Sequence, residues 1–348
     1  MDINYNVQLR VAAVQAEPVW FDGDATVEKA VGIIEEAAKN GAKLVAFPEC
    51  FVSGYPLWIH VNNNITEARF YKGMYESAMS LGDERMRRLM KAARDNNIYV
   101  VMGYNEFGES SLYMSQVFIG DTGEILANRR KLKPSHKERC IYGEGDGSDM
   151  LVVKTPIGII GGLNCWEHFQ PLEIYTMAAL HEQIHVASWP SHNLFDKTFA
   201  DSDLPNIMAT SIYAATTQTF TLAATITRSE KMQEAYGCDE LQKEWLPVGG
   251  GWSRIFAPDG SDLTENQHIP EDQEGIVYAD IDLMDILQAK VYRDPVGQYS
   301  RPDIFTLHVN GKHNRHIIIH NDGERRADTE VLYAMNQDFL RGEDVELD

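Results

Sequence analysis

The sequence predicts a mixed α/β fold, and three observations lead to this prediction. Short apolar runs typical of buried strands alternate with segments whose apolar residues recur at helical spacing. Polar and glycine-containing breaks separate these segments at short intervals. The alternation continues to about residue 300 without an internal repeat or a linker rich in proline, glycine or serine. A single domain is therefore expected over most of the 348 residues.

The individual elements follow from local signals in chain order. Asp24 is a candidate cap for the first helix and Gly41 a candidate end, while Asp83 opens a second helix. Gly123 suits the left-handed residue of a three-residue hairpin connection. Strands are predicted at residues 11–14, 43–47, 98–102, 112–119, 124–128, 157–165, 184–189, 220–225, 253–256 and 276–281. Helices are predicted between Asp24 and Gly41, from Asp83 to about residue 93, and at residues 171–182 and 204–216.

Composition limits the partners and the compartment. The chain has 31 Lys and Arg residues against 52 Asp and Glu residues, and this net charge of −21 repels nucleic acid and anionic membranes. The amino-terminal residues lack the pattern of a signal peptide, and no apolar run is long enough to span a bilayer. Four scattered cysteines favour reduced thiols over a disulfide framework. We therefore expect a cytoplasmic protein.

Three reactive side chains each lie at the end of a predicted strand, which is where α/β sheets carry functional groups. They are Glu49, Lys131 and Cys165. A carboxylate base, a fixed ammonium and a thiol nucleophile together suffice for covalent catalysis without histidine. Glu138 adds a second carboxylate that would keep the lysine protonated. Taken singly, each has a commoner interpretation: a solvated carboxylate, an exposed charge run and a small buried thiol.

Two other chemistries use residues from the same segments. A Cys–His dyad stays open, because the chain has 11 histidines and the partner of Cys165 need not be near it in sequence. A zinc site at Cys165 and His168 lacks further ligands at matching spacing. Histidines also gather after Pro302, at His308, His313, His316 and His320, but their spacing fits no tight ligand pattern. No metal site is therefore expected, and a reaction that uses Glu49, Lys131 and Cys165 requires no organic cofactor.

The segments that carry these residues together resemble the nitrilase superfamily. The likeness lies in FPECFVSGYP, RRKLKPSHKERCIYGEGDG and GGLNCWEHFQPL. HEQIHVASWP, VGGGWSRIFAPDG and DPVGQYSRPD resemble the true nitrilase branch, so the likeness covers roughly residues 8–305. It implies a four-layer α-β-β-α sandwich in a catalytic domain at residues 1–305. Residues 306–348 are then a tail, either a solvated extension or an arm on a neighbouring subunit.

The resemblance also implies roles for individual residues. Cys165 is the nucleophile, Glu49 the base and Lys131 the stabiliser, with Glu138 as a positioning carboxylate. Lys131 is preferred over Lys133 because it closes the Arg-Lys pair at the strand end. The candidate substrate-binding residues, which flank the strand ends, are Tyr55, Trp166, Trp189 and Pro190. The sequence departs from the usual pattern at Cys50 and Tyr142, which affects the expected substrate range rather than the reaction.

The implied activity is hydrolysis of an organic nitrile to the carboxylic acid and ammonia through thioimidate and thioester intermediates. The alternatives are a cyanide- or nitrile-hydrating relative and an aliphatic amidase of the same superfamily. A non-catalytic, filament-forming protein on this fold is a further alternative, disfavoured by the intact Glu-Lys-Cys set. The resemblance also implies a homo-oligomer with a dimer as building block, extended in some members to a spiral filament.

Overall fold

In the computed structural model of the chain, which describes residues 3–191 and 203–314, two halves of one β-sheet pack face to face. The strands are β1 (Gln8–Gln15), β2 (Ala42–Ala46), β3 (Tyr99–Gly108), β4 (Ser111–Ile119), β5 (Ile125–Arg130), β6 (Val152–Thr155), β7 (Gly158–Asn164), β8 (Ile184–Trp189), β9 (Phe220–Thr225), β10 (Arg254–Phe256) and β11 (Gly275–Asp282). The α-helices are α1 (Gly23–Lys39), α2 (Asn64–Ser77), α3 (Glu84–Asn96), α4 (Pro171–Ala179), α5 (Asp203–Thr217), α6 (Glu230–Tyr236), α7 (Glu240–Trp245) and α8 (Met284–Tyr292).

The strand order is β5-β4-β3-β2-β1-β9-β8-β7-β6, with β11 beside β1 and β10 beside β9. The centre of each half is parallel, β1-β2-β3 in the first and β7-β8-β9 in the second. The two halves are joined where Gln15 of β1 pairs with Thr225 of β9. Parallel strands place their carboxyl ends at one edge of the sheet, so side chains that follow β2, β7 and β8 converge.

Three apolar layers hold the sandwich together. One core, with Val27, Ile34 and Leu89, lies between helices α1 and α3 and the first half-sheet. A second core, with Val11 and Val186, lies between the two half-sheets. Further clusters lie where α4 and α5 cover the second half-sheet. The resulting order of helices, sheet, sheet and helices confirms the expected four-layer α-β-β-α sandwich.

All ten predicted strands are present: β8 and β9 have the predicted bounds, and the others have ends shifted by one to six residues, with β3 the most extended relative to its prediction. Gly123 has a φ of 92°, as its hairpin position requires. The cap of α1 was predicted wrongly: Asp22, not Asp24, accepts a hydrogen bond from the amide of Ala25. Helix α4 ends at Ala179 rather than 182. The sequence prediction omitted β6 and the short or weakly amphipathic helices α2, α6, α7 and α8.

The beginning of the expected tail contacts the body of the domain. Residues 306–314 form neither helix nor strand, and the carbonyl oxygen of Asn310 lies against the Cα of Gly147. His313 Nδ1 lies 2.9 Å from Asp146 Oδ2. His316 and His320 lie outside the described residues, within which no cluster of three metal-binding side chains occurs. None of the helices in residues 3–191 and 203–314 has the length and apolar character to cross a membrane.

Candidate active site

The structure brings Glu49, Lys131 and Glu138 into one buried cluster. Lys131 immediately follows β5, and Glu49 lies three residues beyond β2. The Lys131 ammonium donates to Glu49 Oε1 and to Glu138 Oε2, each over 2.9 Å. All three residues are at most 1% exposed. Water is therefore largely excluded from around these charges, which strengthens their interaction.

Glu138 is held in place by three donors. Besides Lys131, the hydroxyl of Tyr55 donates to its Oε1 over 2.7 Å and the backbone amide of Ser135 donates to its Oε2 over 2.5 Å. The backbone of Lys131 is fixed as well, because its amide donates to Met114 and its carbonyl accepts from Gly145. The ammonium is thus directed at Glu49 from a rigid support.

Burial and charge shift the acid–base properties of this cluster in opposite directions. Burial raises the pKa of Glu49 to about 8, although Lys131 partly offsets the shift. Burial alone would lower the pKa of Lys131, but the carboxylates of Glu138 and Glu49 raise it well above its ordinary value. The charge of the Cys165 thiolate raises it further. The ammonium therefore keeps its charge at any working pH, while Glu49 is basic enough to take a proton from a thiol.

Cys165 follows directly on β7 and has a φ of 48°, a left-handed conformation that is uncommon outside glycine. The preceding residue, Asn164, pairs with Ser188 of β8, and the next residue of β8, Trp189, accepts a hydrogen bond from the amide of Glu49 over 3.3 Å. The segments of Cys165 and Glu49 therefore meet at the end of β8. A short 3-10 helix begins at Cys165, and α4 starts only at Pro171, so the thiol does not lie at the N-terminus of an α-helix.

A buried ion pair that the sequence analysis missed connects these segments. Arg129 donates to both carboxylate oxygens of Glu167, over 2.9 and 2.7 Å. The backbone amides of Asn164 and Leu132 donate to the same carboxylate over 2.7 and 2.8 Å. Glu167 thus ties the turn of Cys165 to the residue after Lys131. The signal in the sequence was a charged residue two positions before the lysine, Arg129, and another of opposite charge two positions after the cysteine, Glu167.

His168 does not form a dyad with the sulfur of Cys165. Its Nδ1 lies 2.7 Å from the carbonyl oxygen of Cys165, and its Nε2 lies 2.9 Å from Nε2 of His185. Both ring nitrogens are therefore engaged away from the thiol. A Cys–His dyad with this histidine, left open by the sequence, is excluded by the geometry.

The four candidate substrate-binding residues lie close to the strand ends that carry the cluster. Trp189 and Trp166 pack in the same apolar cluster as Cys165, with Trp189 fully buried and Trp166 partly so. Pro190 is buried at the end of β8. Tyr55 is 2% exposed and its hydroxyl is committed to Glu138. Substrate binding by these residues stays a prediction.

The two departures from the family pattern contact each other. Cys50 and Tyr142 lie close enough for each to raise or lower the pKa of the other, and the Tyr142 hydroxyl donates to Asn105 over 2.6 Å. Both residues lie in one apolar cluster directly behind Glu49. Burial, with the charge of Glu49, raises the pKa of Cys50 well above its ordinary value. The pair therefore forms an uncharged wall behind the carboxylate rather than a second reactive thiol.

Comparison with known proteins gives consistent results. The family model for carbon-nitrogen hydrolase matches residues 10–291. The chain is 49% identical to an aliphatic nitrilase of Rhodococcus rhodochrous, over 90% of this chain and 82% of that protein. It is 43% identical to a nitrilase of Pseudomonas syringae pv. syringae (strain B728a), over 87% of this chain and 90% of that one. An arylacetonitrilase of Aspergillus kawachii is 42% identical, over 89% and 94% of the respective chains.

Solved structures agree in fold. A carbon-nitrogen hydrolase from Helicobacter pylori G27 superimposes with a TM-score of 0.67 at 17% identity, over 87% of this chain and 98% of that one. A member of branch 10 of the nitrilase superfamily from Saccharomyces cerevisiae gives 0.63 at 18% identity, over 86% and 99%. At such identities the likeness shows the common sandwich and no more.

Proposed function

This chain belongs to the carbon-nitrogen hydrolase family, in its nitrilase branch, and hydrolyses nitriles; we propose that Cys165 is the nucleophile, Glu49 the general base and Lys131 the electrostatic stabiliser. Glu138 is the positioning carboxylate that keeps the lysine charged and aimed. The substrate is a small organic nitrile, R–C≡N, and the products are the carboxylic acid and ammonia.

One observation carries the assignment of the base. Oε1 of Glu49 is occupied by Lys131, whereas its buried Oε2 accepts no hydrogen bond from the part of the chain that the structure describes. A buried acceptor without a donor is costly, so such atoms concentrate where a ligand or a reacting group completes them. A thiol proton from Cys165, or an attacking water, is the donor that this oxygen needs.

The reaction follows from these contacts. Glu49 takes the thiol proton of Cys165, the sulfur forms a bond to the nitrile carbon, and the nitrile nitrogen receives the proton to give a thioimidate. Water activated by Glu49 adds to this carbon, and the C–N bond breaks as ammonia leaves, forming a thioester. A second water then breaks the C–S bond and releases the acid. Lys131 and a backbone amide near Trp166 stabilise the negative charge of each tetrahedral species.

The nucleophile is tested by replacing Cys165 with alanine and measuring ammonia, acid and amide from a panel of nitriles. Removal of a covalent nucleophile is expected to lower kcat by at least about 10⁴-fold. Cys140→Ala is the matched control, because that cysteine is exposed and lies outside the buried cluster. Full ammonia release by Cys165→Ala would falsify the mechanism. In the wild type, amide without ammonia would indicate a hydrating enzyme instead of a hydrolytic one.

We place the acyl group of the substrate against Trp166 and Trp189, which share an apolar cluster with Cys165. Pro190 and Tyr55 complete the proposed wall from the ends of β8 and of the glutamate segment. Trp166→Ala is expected to raise KM for large nitriles more than for small ones, because it removes apolar contact with the substrate side chain. An equal change for small and large nitriles would contradict this placement.

A second copy of the chain is the proposed partner. Leu172 of α4 and Met208 and Ile212 of α5 are more than half exposed, and the last two share a helix face. Exposed apolar side chains on neighbouring helices are buried when the same surface of a second copy packs against them. We propose a dimer through α4 and α5, with residues 306–348 as an arm outside the catalytic domain of residues 1–305. Ile212→Glu is expected to reduce particle size in light scattering; unchanged size would contradict the interface.

The proposed compartment is the cytoplasm. All four cysteines have free thiols, as a reducing environment maintains them. Activity in the cytosolic fraction of the source cells and not in the secreted fraction is the expected distribution, and recovery outside the cytosolic fraction would contradict it.

A further inference from the structure

A buried chain of hydrogen bonds runs from the backbone of Cys165 to Glu182, outside the catalytic cluster. His168 Nδ1 lies 2.7 Å from the Cys165 carbonyl oxygen, and its Nε2 lies 2.9 Å from Nε2 of His185. His185 Nδ1 lies 2.8 Å from Glu182 Oε1, and the hydroxyl of Tyr213 donates to Glu182 Oε2 over 2.6 Å. These four side chains are at most 4% exposed. We call His168, His185 and Glu182 the relay.

The positions of the protons in the relay follow from its partners. A carbonyl oxygen only accepts, so His168 must carry its proton on Nδ1. Neutral His168 then accepts at Nε2, and His185 must donate from its own Nε2. Neutral His185 accepts in turn at Nδ1, which requires a proton on Glu182. Two alternatives move that proton to an imidazole, of His185 or of His168, and each leaves a buried imidazolium with an ionised Glu182.

Burial favours the neutral arrangement. It lowers the pKa of His168 to about 3 and that of His185 well below its ordinary value. Burial also raises the pKa of Glu182 to about 8, despite opposing effects of the Tyr213 hydroxyl and the charge of Arg129. At neutral pH the proton therefore belongs on Glu182.

The strand that carries the nucleophile is shaped around this carboxyl group. A Cβ atom at Gly161 of β7 would lie 2.1 Å from Glu182 Oε1, so any side chain there would displace the carboxyl. The same β7 ends at Asn164, directly before Cys165. Gly161, the first glycine of the GGLNC segment, thus leaves space for the Glu182 carboxyl beside the strand that leads to the nucleophile.

We propose that the relay residues are positioning residues for nitrile hydrolysis: one proton held on Glu182 fixes the tautomers of both imidazoles, so that His168 donates to the Cys165 carbonyl and holds the nucleophile in its left-handed backbone conformation. That backbone conformation is strained for any residue other than glycine, and it persists only where surrounding contacts impose it. The proposal rests on Cys165 being the nucleophile.

Two substitutions at Glu182 separate the neutral relay from the ion pair. Glutamine donates from its amide nitrogen to His185 and accepts from Tyr213, as the protonated acid does, so Glu182→Gln is expected to keep kcat within about threefold. Glu182→Leu removes the donor to His185 Nδ1. His185 can then carry its proton on Nδ1, which places the lone pair of its Nε2 opposite the lone pair of His168 Nε2. Loss of the hydrogen bond to the Cys165 carbonyl follows, and kcat is expected to fall roughly 10- to 100-fold with little change in KM.

Spectroscopy reads the relay without reference to turnover. In ¹⁵N-histidine-labelled protein, His168, assigned by His168→Gln, is expected as the Nδ1–H tautomer in the wild type and in Glu182→Gln but not in Glu182→Leu. A buried carboxylic acid band is expected below about pH 8 in the infrared difference spectrum of wild type minus Glu182→Gln, in which the contribution of protonated Glu49 cancels. Met177→Ala, a cavity variant beside Gly161, is the control: it should lower stability and leave the tautomer and kcat unchanged.

The outcomes distinguish this proposal from the proposed function. Equal loss of kcat in Glu182→Gln and Glu182→Leu, or absence of a carboxylic acid band from that difference spectrum, would overturn the neutral relay. Wild-type kcat and tautomer in Glu182→Leu would overturn the positioning role. Neither result concerns the identity of the nucleophile, which Cys165→Ala tests, and Cys165→Ala should retain the Nδ1–H signal of His168.

Discussion

Replacing Arg129 with methionine is expected to destabilise the protein strongly, because it leaves a buried carboxylate without its cation. Glu167 accepts four hydrogen bonds, two from Arg129 and one each from the amides of Asn164 and Leu132. The side chains of the pair are 1% and 2% exposed. The substitution removes two of the four donors and the positive charge, while methionine retains much of the apolar volume.

The magnitude follows from this burial. Removing one partner of a buried ion pair costs about 3–5 kcal/mol, because the remaining charge stays desolvated. Replacing both partners, Arg129→Met with Glu167→Gln, leaves no buried charge at the site of this ion pair. The double variant is therefore expected to lose less stability than the sum of the single variants, with a coupling of about 1–3 kcal/mol.

The assay is urea unfolding at one fixed protein concentration, with Arg88→Met as control. Arg88 pairs with Asp24 and Glu28 at the surface, and loss of such a pair costs at most about 1 kcal/mol. Arg129 lowers the pKa of Glu167 against the effect of burial, so the stability from this pair is present above the ordinary glutamate pKa and is lost as pH falls through the lower folded-state value. The deficit of Arg129→Met should therefore shrink toward acid pH. A cost no larger than that of Arg88→Met, or strict additivity in the double variant, would refute the reasoning.

Three further predictions concern the base, the relay and the tail. Because the pKa of Glu49 is raised to about 8, its base form appears as pH rises, so kcat/KM should increase with pH up to that region; a flat profile from pH 6 to about 9 would contradict this. The pKa of Glu182 is raised in the folded state, so the free energy of unfolding of the wild type should fall as pH rises from the ordinary glutamate pKa toward 8. Glu182→Gln should remove about 1.4 kcal/mol per pH unit of that slope in unfolding measurements. Truncation after residue 310 should change particle size in light scattering more than it changes kcat, and unchanged size would rule out the arm.

The positions of the reactive residues were predictable because they depend on local sequence. Strands such as β8 and β9 were predicted to the residue, since continuous apolar runs bounded by polar residues have few other interpretations. Glu49, Lys131 and Cys165 each follow such a run, and parallel strands bring their ends together. The likeness to a known family then supplied the roles that spacing alone left open.

What the sequence did not reveal depends on contacts between distant segments. The pairing of Arg129 with Glu167 and of His168 with His185 joins different strands and turns, and no periodicity encodes such pairs. The cap of α1 was misplaced for a related reason: Asp22 and Asp24 are both suitable residues, and only the path of the chain decides between them. Buried polar networks are thus the part of this fold that could be identified only from the three-dimensional structure.

The burial of the catalytic cluster determines its charge balance. Lys131 lies between two carboxylates, so a cluster with both Glu49 and Glu138 ionised would carry a net negative charge in a cavity that solvent barely reaches. Burial opposes that state, and the raised pKa of Glu49 is its consequence: the resting cluster keeps one proton and is neutral overall. When Glu49 loses this proton, it becomes a base whose negative charge is poorly solvated and whose return to the neutral form is favourable. In the proposed mechanism, abstraction of the Cys165 proton provides that return, so the burial that disfavours the ionised carboxylate would also make it an effective base.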